Sequence, residues 1–288
     1  MTMRFRNFDS AVNYAKDCLR VAPLVHSLRW QGVEIIDKPE MATYETLHFS
    51  FTAPMNDFDL EAHQRDIKPN LPWADRHFEL ERVSGEPINP GTTWKEWPYG
   101  HSAEKFLENW TGKQFNHSYA ERYWPKHAGQ TLEGILDNKS AEYPLRDQTF
   151  GIRYEYGDLM DVVKLLAGDP LTRQAYLPIF FPEDTGGGAK RAPCTLGYQF
   201  IMRRDKLDIV YWIRSCDFVR HFRDDIYLTV RLALWVIEEA RKIAPEPWNK
   251  VQPGEFIMHI TSLHLFKNDY VSVFGGPRHD DNQANQTG

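Results

Sequence analysis

The stretch Ala192–Asp225, APCTLGYQFIMRRDKLDIVYWIRSCDFVRHFRDD, decides the fold because it contains two apolar strands, the turn between them and the head of a helix. Tyr198–Met202 and Leu207–Arg214 are rich in apolar and aromatic residues, which favours strands. The polar run Arg203–Lys206 between them predicts a hairpin turn. From Ile226 onward apolar residues recur at helical spacing, which predicts a long helix.

Outside this stretch, strand and helix patterns mix without regular alternation. Thr43–Ala53 alternates apolar and polar side chains like a strand, and Glu255–Phe266 is a second strand candidate. Helices are predicted at Ser10–Val21 and Met160–Ala167. Because strand–helix–strand units do not follow one another regularly, the sequence predicts the α+β class.

The composition is that of an ordinary globular chain. Its 288 residues carry a net charge of -6, which argues against direct nucleic-acid binding. No apolar run reaches the length of a membrane span, and the N-terminus lacks the apolar stretch of a signal peptide. Cys18, Cys194 and Cys216 have no metal-ligand spacing, so we expect no metal site. Reduced thiols are typical of the cytoplasm, or of the host cytoplasm if a phage encodes the chain.

Cys194 is the leading candidate for a catalytic residue. It follows a proline at the edge of the glycine-rich run Gly186–Arg191, where a core-filling thiol gains little. A thiol near an arginine such as Arg214 and several carboxylates suits nucleophilic chemistry on an anionic substrate. Cys18 and Cys216 are interpreted as structural, because an isolated cysteine is commonly a small buried hydrophobe.

The other candidates each have a structural interpretation as well. Asp224 and Asp225 at the head of a helix would ordinarily serve as capping residues, but capping needs only one carboxylate and leaves the other free for recognition. His264 alternates with apolar residues and, taken alone, would be a core histidine. Arg214 could be an ordinary ion-pair partner. Their joint order along the chain is what indicates a site.

In that order these residues resemble the thymidylate synthase superfamily, and within it the (deoxy)cytidylate 5-hydroxymethylase branch. Pro193-Cys194 is similar to the nucleophile motif, and Thr195 stands where the synthases carry histidine. Arg214-Ser215-x-Asp217 is similar to the segment that supplies a phosphate-binding Arg and Ser and a pterin-contacting Asp. Phe222-Arg223-Asp224-Asp225 resembles the Phe-Arg-Asn-Asp of the hydroxymethylases, and Asp225 then falls where synthases read uracil with Asn.

Matches upstream of Cys194 are looser. Phe78-Glu79-Leu80-Glu81 is similar to the segment of the family's essential Glu, which implies that Glu79 organises water and acts as a general base. Trp94 and Trp97 resemble tryptophans that flank the folate. Asn116-His117-Ser118-Tyr119 is similar to a run that brings a tyrosine, here Tyr119, near the reacting base.

Three further residues are implied to bind the nucleotide. Arg29 resembles the N-terminal phosphate arginine. Arg173 matches an arginine that reaches across a symmetric homodimer to the partner's nucleotide, although Gln174 replaces the second arginine of that pair. His264 matches the histidine that contacts the sugar 3'-hydroxyl, but its companion tyrosine is Phe266 here. Because of that departure, the sequence does not decide whether the sugar of the substrate is ribose or deoxyribose.

Asp225 points to cytosine as the base. A carboxylate can accept hydrogen bonds from the exocyclic amino group and from a protonated N3, whereas it cannot donate to O4 of uracil. An Asp at this position therefore favours cytosine and disfavours uracil at the same time.

The resemblance implies an enzyme that hydroxymethylates dCMP or CMP with 5,10-methylenetetrahydrofolate and water. Cys194 would add to C6 and make C5 nucleophilic. Thr195 and Asp225 imply hydrolysis of the C5 methylene intermediate rather than hydride transfer. Two alternatives stay open: a thymidylate synthase-like methylase or hydroxymethylase of a uridylate, and a nonenzymatic relative that binds a nucleotide or an RNA.

The implied architecture is one thymidylate synthase-like domain over residues 1–275, with a large twisted mixed sheet flanked by helices. Residues 125–156 look like an insertion relative to the phage enzyme of this branch. The polar tail 276–288 is expected to be mobile.

Overall fold

A mixed sheet of seven strands forms the centre of the chain in its computed structural model. The structure describes residues 2–30, 33–99, 115, 117–125, 157–186 and 191–278. The strands are β1 (Met3–Arg4), β2 (Leu24–Val25), β3 (Arg29–Trp30), β4 (Val33–Glu34), β5 (Thr43–Pro54), β6 (Tyr176–Pro178), β7 (Thr195–Arg203), β8 (Lys206–Asp217) and β9 (Gln252–Phe266). The sheet has the order β1-β5-β9-β8-β7-β6, with β2 beside β5, while β3 and β4 form a separate hairpin.

Helices flank this sheet. They are α1 (Phe8–Val21), α2 (Leu60–Ile67), α3 (Trp73–His77), α4 (Tyr119–Tyr123), α5 (Leu159–Gly168), α6 (Glu183–Gly186), α7 (Phe222–Ile243), α8 (Pro245–Trp248) and α9 (Tyr270–Phe274). A π-helical turn, Phe78–Arg82, continues directly from α3. In the part of the chain that the structure describes, no helix is long and apolar enough to cross a membrane.

The core lies between one face of the sheet and the helices α1 and α7. The alternation of β5 and the helical spacing of α7 bring Phe51 and Phe222 together, with ring centroids 6.1 Å apart. Phe8 of α1 packs on Phe256 of β9 at 5.4 Å in an edge-to-face arrangement. All four side chains are at most 1% exposed, so burial of these aromatic rings is a large part of what holds α1 and α7 on the sheet.

The coarse fold prediction is confirmed: a large mixed sheet is flanked by helices, and each predicted strand and helix is present within a few residues of its predicted ends. Both strands of the hairpin are longer than predicted: the ladder between them runs from Thr195 to the Arg203–Lys206 pair at the turn, and β8 continues beside β9 to Asp217. The hairpin turns at Arg204 and Asp205, whose φ angles of 52° and 56° are left-handed as in a tight hairpin turn. The predicted insertion, apart from Pro125, and the tail beyond Arg278 lie outside the described residues.

Three neighbouring strands share an interruption that we call the ladder break, at His48, Arg214 and Thr261. The pairing of β5 with β9 passes over His48 and Thr261, and the pairing of β8 with β9 passes over Arg214 and Thr261. Burial alternates by two on each side of the break but changes phase across it. In each strand, odd-numbered and even-numbered positions therefore exchange faces at the break.

Candidate active site

Cys194 lies immediately before β7, held by Arg214 from the adjacent strand. The Arg214 guanidinium donates from Nε to the carbonyl of Pro193 at 2.8 Å and from one terminal nitrogen, Nη2, to the carbonyl of Ala192 at 2.9 Å. The Arg214 backbone N–H donates to the Cys194 carbonyl at 2.9 Å. The other terminal nitrogen of Arg214, Nη1, makes no hydrogen bond to any described residue. Arg214 thus fixes the backbone before and at the thiol.

The thiol of Cys194 is half-buried among opposing charges. Burial raises its pKa, while the positive charges of Arg214 and Arg191 oppose that rise and Asp225 adds to it. The protonated thiol is therefore the resting form. A thiolate at this position therefore needs a base that takes the proton.

A directed chain of hydroxyl groups runs beside the thiol. The Thr195 hydroxyl donates to the Tyr119 oxygen at 3.3 Å. Thr195 has only one hydrogen, so Tyr211, 2.9 Å away, must donate to Thr195. Tyr119 receives this bond and keeps its own hydrogen for another acceptor. Burial raises the pKa of Tyr119 to about 12, so its hydroxyl is protonated and can act as a donor.

Arg82 is a buried cation beneath this chain. Its guanidinium stacks on the Tyr119 ring at 4.1 Å and donates to the Tyr123 hydroxyl at 3.1 Å. Its Nε donates to Nε2 of His77 at 3.0 Å. Because arginine only donates, the His77 proton must sit on Nδ1, which faces Glu81 Oε2 at 3.2 Å. A stacked guanidinium fixes the position of the Tyr119 ring.

Glu81, rather than Glu79, is the buried carboxylate of the π-helical turn. Glu81 is 4% exposed and accepts from the Thr93 backbone N–H at 2.7 Å and from its hydroxyl. The side chain of Glu79 is 62% exposed and pairs with Arg231 at 3.1 Å. The structure does not bring Glu79 into the cluster around Cys194, so its position gives the general-base role no support.

Asp225 lies close to the hydroxyl chain and the thiols. The Cys216 thiol donates to its Oδ2 at 3.6 Å. Burial raises the pKa of Asp225 to about 7, and Arg82 opposes that rise. Cys216 was interpreted as structural, and it is indeed buried at 1% exposure, but it also contacts this carboxyl.

Neither aspartate at the head of α7 caps the helix with its side chain. The capping residue is His221, which forms no side-chain capping bond. Asp224 instead accepts from the backbone and the side-chain amide of Asn70, both at 2.8 Å. The prediction that one aspartate caps the helix was therefore wrong. The two aspartates nevertheless have different surroundings, because Asp224 anchors a loop and Asp225 faces the cluster.

Asp217, at the end of β8, is occupied by its own loop. Its Oδ1 accepts from the backbone N–H groups of Val219 and Arg220 at 2.9 and 3.0 Å, and Oδ2 accepts from the Arg220 side chain at 3.1 Å. Asp217 is 6% exposed and pairs in the sheet with His264. Its carboxylate shapes this edge of the site and is already largely satisfied.

The two predicted folate tryptophans lie in different surroundings. Trp97 stacks on His221 with centroids 4.8 Å apart and planes 13° apart, next to the Asp217 loop. Its Nε1 is buried and has no hydrogen-bond partner among the residues that the structure describes. Burial lowers the pKa of His221 to about 4, so this stack is neutral. Trp94 instead meets Phe115 edge to face at 5.4 Å.

Arg29 and Arg173 lie apart from the thiol cluster. Arg29 belongs to the separate hairpin and is exposed. Arg173, before β6, is exposed as well, and its carbonyl accepts from Gln199. The predicted residues that the structure brings together are thus Cys194, Tyr119, Asp225, Arg214, Ser215, Asp217, His264 and Trp97.

Comparison with known proteins adds no family: no family model matches the chain, and no curated protein matches it significantly.

Sequence reasoning missed Arg82, His77 and Tyr211. Arg82 directly follows the Glu79–Glu81 segment, and a pair of adjacent charged residues ahead of a valine was the available signal. Tyr211 stands in an apolar strand, where nothing distinguishes a core tyrosine from one that shares a hydroxyl chain.

Proposed function

We propose that the chain is a thymidylate synthase-like enzyme that hydroxymethylates C5 of a cytidine monophosphate. One observation carries the proposal: the Cys194 thiol, an arginine with a spare donor, a tyrosine with a spare hydrogen and the half-buried Asp225 share one site. The resemblance of the surrounding motifs supports the same reaction.

Base recognition is assigned to Asp225. With a pKa of about 7, its carboxyl can enter the complex in the protonated form. A protonated carboxyl donates to N3 of neutral cytosine and accepts from the exocyclic amino group, so both polar edges are satisfied. The sequence argument placed this proton on N3 and left the carboxylate ionised. In both cases one proton is shared between Asp225 and N3 of cytosine, so the hydrogen bonds are the same.

The chemistry is assigned to the groups around the thiol. Cys194 Sγ forms a bond to C6, and Asp225 holds the ring by N3 and the amino group. The Tyr119 hydroxyl, fixed by Thr195 and Arg82, is the described group suited to relay the C5 proton, because it can give its own hydrogen to an acceptor as its oxygen takes that proton. C5 would bond to the one-carbon unit as that carbon's bond to tetrahydrofolate breaks, and loss of the C5 proton would leave an exocyclic methylene. Water then adds to this methylene with loss of a proton, the bond from sulfur to C6 breaks, the C5–C6 double bond is restored and the thiolate leaves.

The residues beside Asp217 suit a flat heterocycle such as folate. The neutral Trp97–His221 stack offers an aromatic face, and the orphaned Nε1 of Trp97 lacks an acceptor that a ligand could supply. 5,10-Methylenetetrahydrofolate would supply the one-carbon unit when bound. Asp217 would help to position the loop beside this stack through its bond to Arg220, since its carboxylate is already engaged.

A uridylate substrate is the second candidate, and the same carboxyl favours it. A protonated Asp225 can donate to O4 and accept from N3–H of uracil, much as an Asn amide does. Cytosine is preferred because its N3 is a far better proton acceptor than a carbonyl oxygen.

A symmetric homodimer is part of the proposal. On the sheet face opposite α1 and α7, Trp212 stacks on His259 at 5.9 Å and meets Tyr176 at 6.0 Å. These side chains are exposed or half-buried, and Tyr176 is 40% exposed. An aromatic patch at the middle of a sheet face suits an isologous contact with a second copy.

The decisive experiment incubates the protein with 5,10-methylenetetrahydrofolate and each pyrimidine monophosphate and determines the product mass. We expect a hydroxymethyl product from a cytidine nucleotide. A methyl product, or reaction of uridylates only, would establish the second candidate, and unchanged substrates in every tube would leave a binding protein.

The matched variant is Asp225→Asn, with kcat/KM determined for both bases. Because an amide cannot transfer a proton to N3, the variant loses the charge-assisted hydrogen bond that favours cytosine, and preference should shift toward uridylate by roughly ten- to a hundredfold, the worth of one such bond. Full cytosine preference in the variant would remove Asp225 from base recognition.

A further inference from the structure

Glu45 lies in a row of polar side chains that the proposed reaction does not use. In the sheet, Glu45 of β5 stands opposite His264 of β9, and His264 stands opposite Asp217 of β8. Directly opposed residues point to the same face, so the row is carboxylate, imidazole, carboxylate across three strands. All three lie beyond the ladder break.

The position of this row relative to Arg214 and Ser215, to which the resemblance assigns the phosphate, sets what it can contact. Ser215 is two residues before Asp217 and pairs with Ser262, which is two residues before His264. Two residues along a strand span about 7 Å. If Arg214 and Ser215 hold a nucleotide phosphate, the row of Glu45 and His264 lies one sugar length away.

The hydrogen bonds leave two acceptors in the row. The Ser262 hydroxyl donates to Oε1 of Glu45, and Oε2 accepts nothing from the described residues. A neutral imidazole has one donor and one acceptor nitrogen, so the His264 ring offers an acceptor when it is neutral. Burial lowers the pKa of His264, which favours the neutral ring, although Asp217 and Glu45 oppose the shift.

Phe266 strengthens the case for Glu45. It meets His264 edge to face at 5.8 Å and is covered by Arg220 at 5.0 Å, and it has no hydroxyl to offer a sugar. A free carboxylate oxygen beside a neutral imidazole matches a vicinal diol, whose two hydroxyls are both donors. Carboxylates are used in this way for the ribose 2'-hydroxyl in dinucleotide sites.

We propose that Glu45 and His264 bind the 2'- and 3'-hydroxyls of ribose, so that the substrate is a ribonucleotide. The inference rests on the proposed function for the location of the phosphate and the base. Deoxyribose would leave Oε2 of Glu45 without its donor inside a half-buried site, which disfavours dCMP.

The test is calorimetric titration of CMP and dCMP without folate, on the wild type, Glu45→Ala and Glu45→Gln. The exposed Glu61→Gln on α2 serves as control. We expect the wild type to bind CMP roughly ten- to a hundredfold more tightly than dCMP, the usual effect of one hydrogen bond to a charged acceptor. Glu45→Ala should reduce this ratio to below about threefold by weakening CMP alone, with Glu45→Gln between the two and Glu61→Gln unchanged.

Equal binding of CMP and dCMP by the wild type, or a ribose preference that survives in both Glu45 variants, would overturn the role of Glu45. If dCMP is nevertheless hydroxymethylated, the proposed function stands without this inference. Failure to bind either nucleotide would overturn both. The Gln variant keeps the comparison available if Glu45→Ala does not fold.

Discussion

The buried charge of Asp225 makes a prediction about folding stability that needs no substrate. Its pKa rises from 3.8 to about 7 in the folded chain, mainly through burial. An acid with a raised pKa in the folded state binds more protons when the chain is folded. The free energy of unfolding therefore falls as pH rises from about 4 to 7, and the loss stays constant above pH 7. Because a change of one in pKa is worth about 1.36 kcal/mol, the full rise would lower the free energy of unfolding by about 4 kcal/mol. Because the side chain is only half-buried, we expect about half of that, about 2 kcal/mol.

Asp225→Asn removes this titration while keeping the side chain's size. We expect the free energy of unfolding of the wild type, measured by urea denaturation from pH 4 to 8, to fall by about 2 kcal/mol relative to the variant. Asp205→Asn in the exposed hairpin turn is the control, and its curve should run parallel to the wild type. Parallel curves for Asp225→Asn would show that the carboxyl is solvated, and would refute both the burial argument and the protonated-carboxyl account of base recognition.

Three further predictions follow from the cluster and the sheet. Cys194→Ser should abolish product formation while nucleotide affinity, by titration, changes less than about threefold; substantial turnover would exclude the thiol from the reaction. Tyr119→Phe should lower kcat by about a hundredfold or more, whereas Glu79→Gln should keep it within a few-fold, and the reverse order would restore Glu79 as the base. The wild type should sediment as a dimer and Trp212→Glu as a monomer; a fully active wild-type monomer would contradict the dimer.

The sequence predicted the fold well where periodicity was strong. The hairpin around Arg204 and the long helix α7 follow from apolar spacing and turn residues alone. The π-helical turn was beyond this reasoning, since its extra residue changes which side chains face inward. That change is why Glu79 faces solvent while Glu81 and Arg82 are both buried.

The site was predictable in part for the same reason. Residues next to a recognisable pattern, such as Cys194 and Asp225, were identified, whereas Tyr211 and His77 became visible only through contacts between distant segments. The state of the Asp225 carboxyl was also out of reach, because a pKa depends on burial and on Arg82, which is 143 positions away along the chain.

The ladder break constrains the lengths of three strands jointly. Because β5, β8 and β9 all change phase at the same row, a one-residue deletion in one strand would turn its far half over while its neighbours kept their orientation. Such a deletion would expose Leu263 and Leu265, or bury Asp217 on the wrong face, depending on the strand. Length changes in this lineage should therefore accumulate in connecting segments, and these three strands should keep constant residue counts around His48, Arg214 and Thr261.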